Sequence, residues 1–167
     1  MAEIKKGTSI ALSDKTKLNG ETYAKAAEAI MRDAKKKADE KTETAVTGTA
    51  KAGKIMRDAK TKADEKAQGA WFGRLSTSKI RGIYGLITNV YTRITDETSF
   101  EENKTDLQYI KVKMAYECGR DRNVDSFIKG TGLMTAIDSI TTYDQFILYC
   151  RYAESLVAYF KFYGGKE

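Results

Sequence analysis

The chain contains no proline in 167 residues. Proline lacks the backbone N–H and its ring collides with the preceding turn, so it is the strongest breaker of an α-helix. A chain without it, and rich in Ala, Lys, Glu and Ile, is free to run in uninterrupted helices. Histidine is absent too. That removes the Ser-His-Asp triad, the Cys-His dyad and every imidazole metal ligand. The two cysteines, Cys118 and Cys150, are too few for a four-thiolate zinc site or for the dense set that staples a small secreted domain. They fit a reducing cytoplasm, which is the expected location. No run approaches the ~20 apolar residues of a membrane span. The basic start, residues 1–10, is followed by no apolar stretch of the secretory kind.

Composition changes near residue 70. Residues 1–70 hold 16 basic and 11 acidic residues and one aromatic, Tyr23; residues 71–167 hold 13 basic, 12 acidic and the other 16 aromatics. Core-forming material therefore lies in the second part and the excess charge in the first. This divides the chain into an N-terminal helical arm, 1–70, and a helical-bundle core, 71–167. The net charge of +6 suggests an anionic partner.

The arm contains a repeat. Ile30 to Lys41 recurs as Ile55 to Lys66, with Lys36 against Thr61 as the single difference. Two copies are too few for a solenoid, so a local duplication is the better reading. The expectation is a helix near 20–41, a loose link at 42–49 and a second helix near 50–67. The duplicated insert, 42–70, reads either as a basic arm laid on RNA or as a solvated segment without a partner.

In the core, Ile80, Ile83, Tyr84, Ile87, Val90, Tyr91 and Ile94 share one helical face, with Thr77 or Ser78 as the cap. Ser99 and Glu102 carry a capping-box spacing. The helix they open places Leu107, Ile110, Met114 and Cys118 on one face and Tyr109, Val112 and Tyr116 on another, which predicts burial on two sides, with Gly119 as its stop. A short helix over 123–130 follows, broken by Gly130 and Gly132, then a turn or two over 133–140. Thr142 and Gln145 open the last helix, ended by Gly164 and Gly165. No stretch shows sustained strand alternation. The fold class is all-α: a compact bundle of about five helices with a helical, partly duplicated N-terminal extension.

No catalytic constellation emerges. Glu101 and Glu102 are read as first-turn acids offsetting the helix dipole. Gly82 and Gly85 are read as a site of close helix packing, and both thiols as buried and inert. No enzyme, cofactor or metal is expected. The chemistry that remains is cationic. Lys79 and Arg81 fall in a first helical turn, where backbone N–H groups favour phosphate. Lys111, Lys113, Arg120, Arg122, Arg151 and Lys161 follow on later helices. Together these eight are the candidate contacts to a phosphate-bearing or other anionic partner. Trp71, Phe72 and the tail from Phe160 to Tyr163 are candidate apolar ends for a protein–protein adaptor, the alternative reading.

Three segments carry a family resemblance: Thr77-Ser78-Lys79-Ile80-Arg81; Tyr109 to Asp121, with its K-V-x-x-x-Y-x-x-G-R-D element; and Arg151 to Lys166, with R-Y-x-E-x-L-V-A-Y-x-K-x-Y-G-G. In that order and spacing they resemble the small subunit of the type III-A CRISPR–Cas effector, the Csm complex, over roughly residues 74–167. A weaker likeness covers Tyr23 to Met31, and residues 42–70 depart from the family. The resemblance implies an all-helical bundle with no active site. It implies stacked copies lining the channel that holds guide RNA and target RNA. The implied partners are the large polymerase-like subunit, the repeating backbone subunits and neighbouring copies of the chain, with no membrane. Lys79 and Arg81 match the first motif, and Lys111, Arg120, Arg151 and Lys161 the later ones, so the resemblance implies that the candidate cations, Lys113 and Arg122 with them, are RNA-binding residues.

Overall fold

The computed structural model describes residues 4–5, 7–13, 16–47, 71–72 and 74–165. It begins with an antiparallel hairpin of β1 (Ser9–Ser13) and β2 (Thr16–Asn19), in which Ile10 faces Leu18 across the ladder. Seven helices follow among the described residues: α1 (Tyr23–Thr47), α2 (Thr77–Tyr91), α3 (Glu97–Glu102), α4 (Lys104–Arg120), α5 (Arg122–Thr131), α6 (Leu133–Asp138) and α7 (Tyr143–Phe162). The mostly helical fold agrees with the expectation. The hairpin departs from it, since no strand is expected there. Its alternation amounts to Ile10, Leu12 and Leu18 alone, too brief to register as a pattern. What holds it is tertiary. The Ala11 N–H donates to Ser139 Oγ at 3.0 Å, Gln145 Nε2 donates to the Ser9 carbonyl at 2.9 Å, and Lys5 pairs with Asp144 at 3.5 Å. The strand edge is thus closed by the α6–α7 corner rather than by more sheet.

α7 is the axis of the bundle. α1, α2, α6 and β1 all pack on it, and nine of its residues are buried, Phe146 to Cys150 among them. Its start is the expected capping box of Thr142 and Gln145. Its end is a Schellman turn: Gly164 is left-handed, its N–H donates to the Lys161 carbonyl at 3.0 Å, and the Gly165 N–H reaches the Phe160 carbonyl at 2.9 Å.

Trp71 and Phe72 are not exposed ends. Both are buried, and Trp71 meets Phe127 edge-on at 5.0 Å and stacks on Phe160 at 6.3 Å. Phe72 lies 5.0 Å from the Phe160 ring. Burying a large apolar ring is worth about 1.5–3 kcal/mol, which outweighs any use as an exposed contact.

Other boundaries shift for local reasons. Ser76, not Thr77 or Ser78, caps α2 and accepts from the Lys79 N–H. Asp96 and Ser99 form a reciprocal box that opens the short α3, and α4 starts separately after Asn103. Glu101 and Glu102 therefore end a helix instead of beginning one, and Glu101 pairs with Lys104 at 3.2 Å. α4 runs through Gly119 and stops where Asp121 turns extended. Gly130 stays helical. Gly132 is the breaker, with φ +68° and an added Cβ only 2.7 Å from the Leu12 carbonyl oxygen. At this corner only glycine lets β1 approach. Residues 42–47, expected as a loose link, continue α1. The rest of the duplicated insert, residues 48–70, lies outside the described residues. A Cβ at Gly82 or Gly85 would meet nothing within 4 Å among the described residues, so the close helix packing expected there is not found among them.

Candidate nucleic-acid interface

α4 buries Leu107, Ile110 and Met114 and no more. The second face, expected in the core, is open: Tyr109, Val112 and Tyr116 are 58%, 62% and 61% exposed. Among the described residues no helix covers α4 on that side. The exposed tyrosines are covered instead by cations one turn on. Lys113 Nζ sits 5.1 Å from the centre of the Tyr109 ring, and the Arg120 guanidinium 5.4 Å from that of Tyr116. An aromatic ring's negative face attracts a cation at this range. The two pairs repeat the same i, i+4 spacing seven residues apart, so Tyr109, Val112, Lys113, Tyr116 and Arg120 form one stripe about 16 Å long. Arg120 also reaches Glu117 at 3.5 Å.

The stripe ends at a corner built by Asp121. Its carboxylate caps α5 by accepting from the Asn123 N–H at 2.8 Å and also pairs with Lys79 of α2. Arg120 and Arg122 flank it in sequence. Two motifs 42 residues apart are thereby joined. The Lys79 hydrogen bond, followed by the Asn123 N–H, holds the Asp121 carboxyl below its ordinary pKa. Asp121 therefore stays ionised as the hub of that corner.

The other candidate cations are placed differently. Arg81 is exposed on α2, two residues from Lys79. Lys111 bridges α4 to α6, with its ammonium 2.6 Å from Asp138. It lines a 410 Å³ groove shared with Cys118, Ile128, Met134 and a second ion pair, Lys129–Asp125 at 2.8 Å. Arg151 is half-buried on α7, and Lys161 is exposed in that helix's last turn. Neither joins the α4 stripe.

Cys118 is half-buried and Cys150 buried, and both are free thiols. Burial, then the Asp125 charge, pushes Cys118 up to about 11. Burial, then Glu154, pushes Cys150 higher. Neither forms thiolate readily near neutrality. Among the described residues no group of three or more His, Cys, Asp or Glu side chains is placed to hold a metal, and no helix is long and apolar enough to cross a membrane.

The residues that sequence reasoning missed are the two stripe tyrosines. The signal is present as an aromatic followed by a cation four residues later, twice, at a heptad offset. It is masked because the same spacing also describes a second buried face.

Fold and surface together define a small, mostly helical bundle bearing a cationic strip edged with tyrosine. The family model described as Csm2 Type III-A matches residues 51–166, and the chain belongs to that family, the small subunit of the type III-A CRISPR complex. A protein of Enterococcus italicus named "CRISPR system Cms protein Csm2" is 44% identical over 98 residues, covering 55% of this chain and 70% of the relative. The protein of the same name from Streptococcus thermophilus is 39% identical over 93 residues, 56% of this chain and 76% of its own length. That of Mycobacterium tuberculosis is 28% identical over 97 residues, 56% and 78% respectively.

Proposed function

We propose that this subunit performs no chemistry itself and lines the channel of the type III-A complex, in the cytoplasm, stabilising guide RNA and target RNA through basic side chains regardless of sequence. The observation that carries this reading is the α4 stripe, in which Lys113 and Arg120 lie over exposed tyrosines and which ends, in sequence, at the Asp121 that pairs with Lys79. Phosphate contacts made by such cations position a strand without reading its bases. Guide–target pairing then supplies specificity. Its partners in this reading are the polymerase-like large subunit, the backbone subunits and adjacent copies of itself.

The test is the salt dependence of RNA retention by the assembled complex. Lys113→Ala and Arg120→Ala each shallow the log–log slope by about one unit, because each removes a cation that neutralises a phosphate. Lys111→Ala leaves it unchanged, because that ammonium is held by Asp138. Slopes identical in all three variants would sink the RNA-contact reading.

A protein–protein adaptor is the second reading, and Phe162, 77% exposed at the end of α7, favours it. Charge reversal along the α4 stripe separates the two. Assembly retained with RNA protection abolished supports the first, and assembly abolished with RNA binding intact supports the second.

A further inference from the structure

Phosphate contact uses the cations of the α4 stripe and leaves its rings without a task. Tyr109 and Tyr116 lie two turns apart on the same side of the helix, about 10.5 Å along its axis, with Val112 between them. Both tyrosines are more than half exposed. Each has a cation from the next turn against its ring, Lys113 for Tyr109 and Arg120 for Tyr116. That contact holds the ring in place, so little side-chain freedom remains to be lost when something flat lies on it. Lys113 makes no ion pair among the described residues, and Arg120 reaches Glu117 only at 3.5 Å. The stripe is therefore an aromatic surface whose positive charge is largely uncompensated.

We infer that the α4 stripe is a stacking platform for unpaired RNA, in which Tyr109 and Tyr116 each take the face of a base while Lys113 and Arg120 take neighbouring phosphates. The inference rests on the RNA reading above and narrows it to the single-stranded form. In a duplex each base is covered above and below by its neighbours, so a tyrosine reaches no base face. An unpaired base can splay out and lie on a ring. Stacking of this kind is indifferent to sequence, since every base has such a face. The two rings are too far apart to share a base and are set for two bases of one strand. Val112 between them adds apolar contact and no charge. Charge decides against a protein occupant. A protein helix laid along the stripe would take Lys113 and Arg120 out of water with the rings, at a cost recovered only if a carboxylate meets each. An RNA strand carries a phosphate beside every base and so brings both complements at once.

The test is photo-cross-linking of the full-length chain, at low salt, to an iodouridine-substituted RNA oligonucleotide offered single-stranded and annealed to its complement. Peptide mapping is expected to find adducts on Tyr109 and Tyr116 with the single strand and several-fold fewer with the duplex. Adducts equal in the two forms, or absent from both tyrosines, overturn the inference. Affinity is the second readout. Tyr116→Leu weakens binding of the single strand about tenfold and leaves duplex affinity and the salt slope unchanged, while Tyr116→Phe keeps the parent's affinity. Parent-like affinity in Tyr116→Leu also overturns the inference. The salt slope judges the phosphate reading separately. If Lys113→Ala still shallows the slope while no tyrosine adduct forms, stacking alone fails; if neither is seen, both readings fail. Loss of a neighbouring subunit from the assembled complex in Tyr109→Leu or Tyr116→Leu, with no RNA adduct, makes the stripe a protein-docking face and likewise overturns the inference.

Discussion

Lys79, in the first turn of α2, is ion-paired with Asp121, the residue that caps α5. One carboxylate thus serves two helices. Asp121→Asn removes the charge while keeping a side chain that caps well. A half-exposed ion pair of this kind is worth under about 1 kcal/mol. Asp121→Ala removes the cap as well and costs about 1 kcal/mol more. Urea titration of the two variants separates the contributions.

The same carboxylate sets an acid limb. Its pKa in the folded chain is depressed, first by Lys79 and then by the Asn123 N–H. A depressed carboxyl contributes stability that is complete above its unfolded value, about 4, and is lost as the pH falls through the folded value. Stability measured from pH 6 downward falls less steeply below about pH 4 in Asp121→Asn than in the parent.

Tyr152 and Tyr149 lie three residues apart on α7, and both are buried. The Tyr152 hydroxyl donates to the Thr131 carbonyl at 2.6 Å, closing the last turn of α5. The Tyr149 hydroxyl has no hydrogen-bond partner among the described residues. Tyr152→Phe therefore costs about 1–3 kcal/mol, since it orphans a buried carbonyl. Tyr149→Phe is neutral or stabilising by about 1 kcal/mol. Equal losses in thermal melts of the two variants would contradict this assignment.

Gly165 lies against the Phe160 ring so closely that an added Cβ would overlap it. Phe160 is in turn the ring on which Trp71 and Phe72 pack. Gly165→Ala displaces that cluster and costs about 1–3 kcal/mol. Gly164→Ala meets no neighbour but must hold φ +82°, at about 1 kcal/mol. Differential scanning calorimetry ranks the two.

Cys118 is half-buried, whereas Cys150 is buried, and burial raises both thiols. Alkylation by iodoacetamide at about pH 7.5 is slow at both, with Cys118 modified first. Peptide mapping over time checks the order.

The helices are legible in the sequence because each carries its own local signal. Ile80, Ile83 and Ile87 repeat at helical spacing, and all three are buried as that spacing requires. The Thr142–Gln145 box and the Gly164 stop lie within four residues of the ends they define. Periodicity says which residues share a face. It does not say whether a second face finds a partner, and so spacing alone puts Tyr109, Val112 and Tyr116 in the core, where the structure leaves them exposed.

By itself, then, the sequence determined the helical class, the family and the absence of histidine chemistry, because composition, spacing and motif order are properties of the chain read one turn at a time. The tertiary structure alone decided three things. Ile10, Leu12 and Leu18 became a hairpin because Ser139 and Gln145 close its edge. Trp71 and Phe72 became core because the ring of Phe160 was there to receive them. Lys111 became an internal bridge, while Lys113, two residues on, came to lie over an exposed tyrosine. In each case the deciding partner is distant in sequence or lies on a face that periodicity cannot rank, and burial is settled only when the helices have packed.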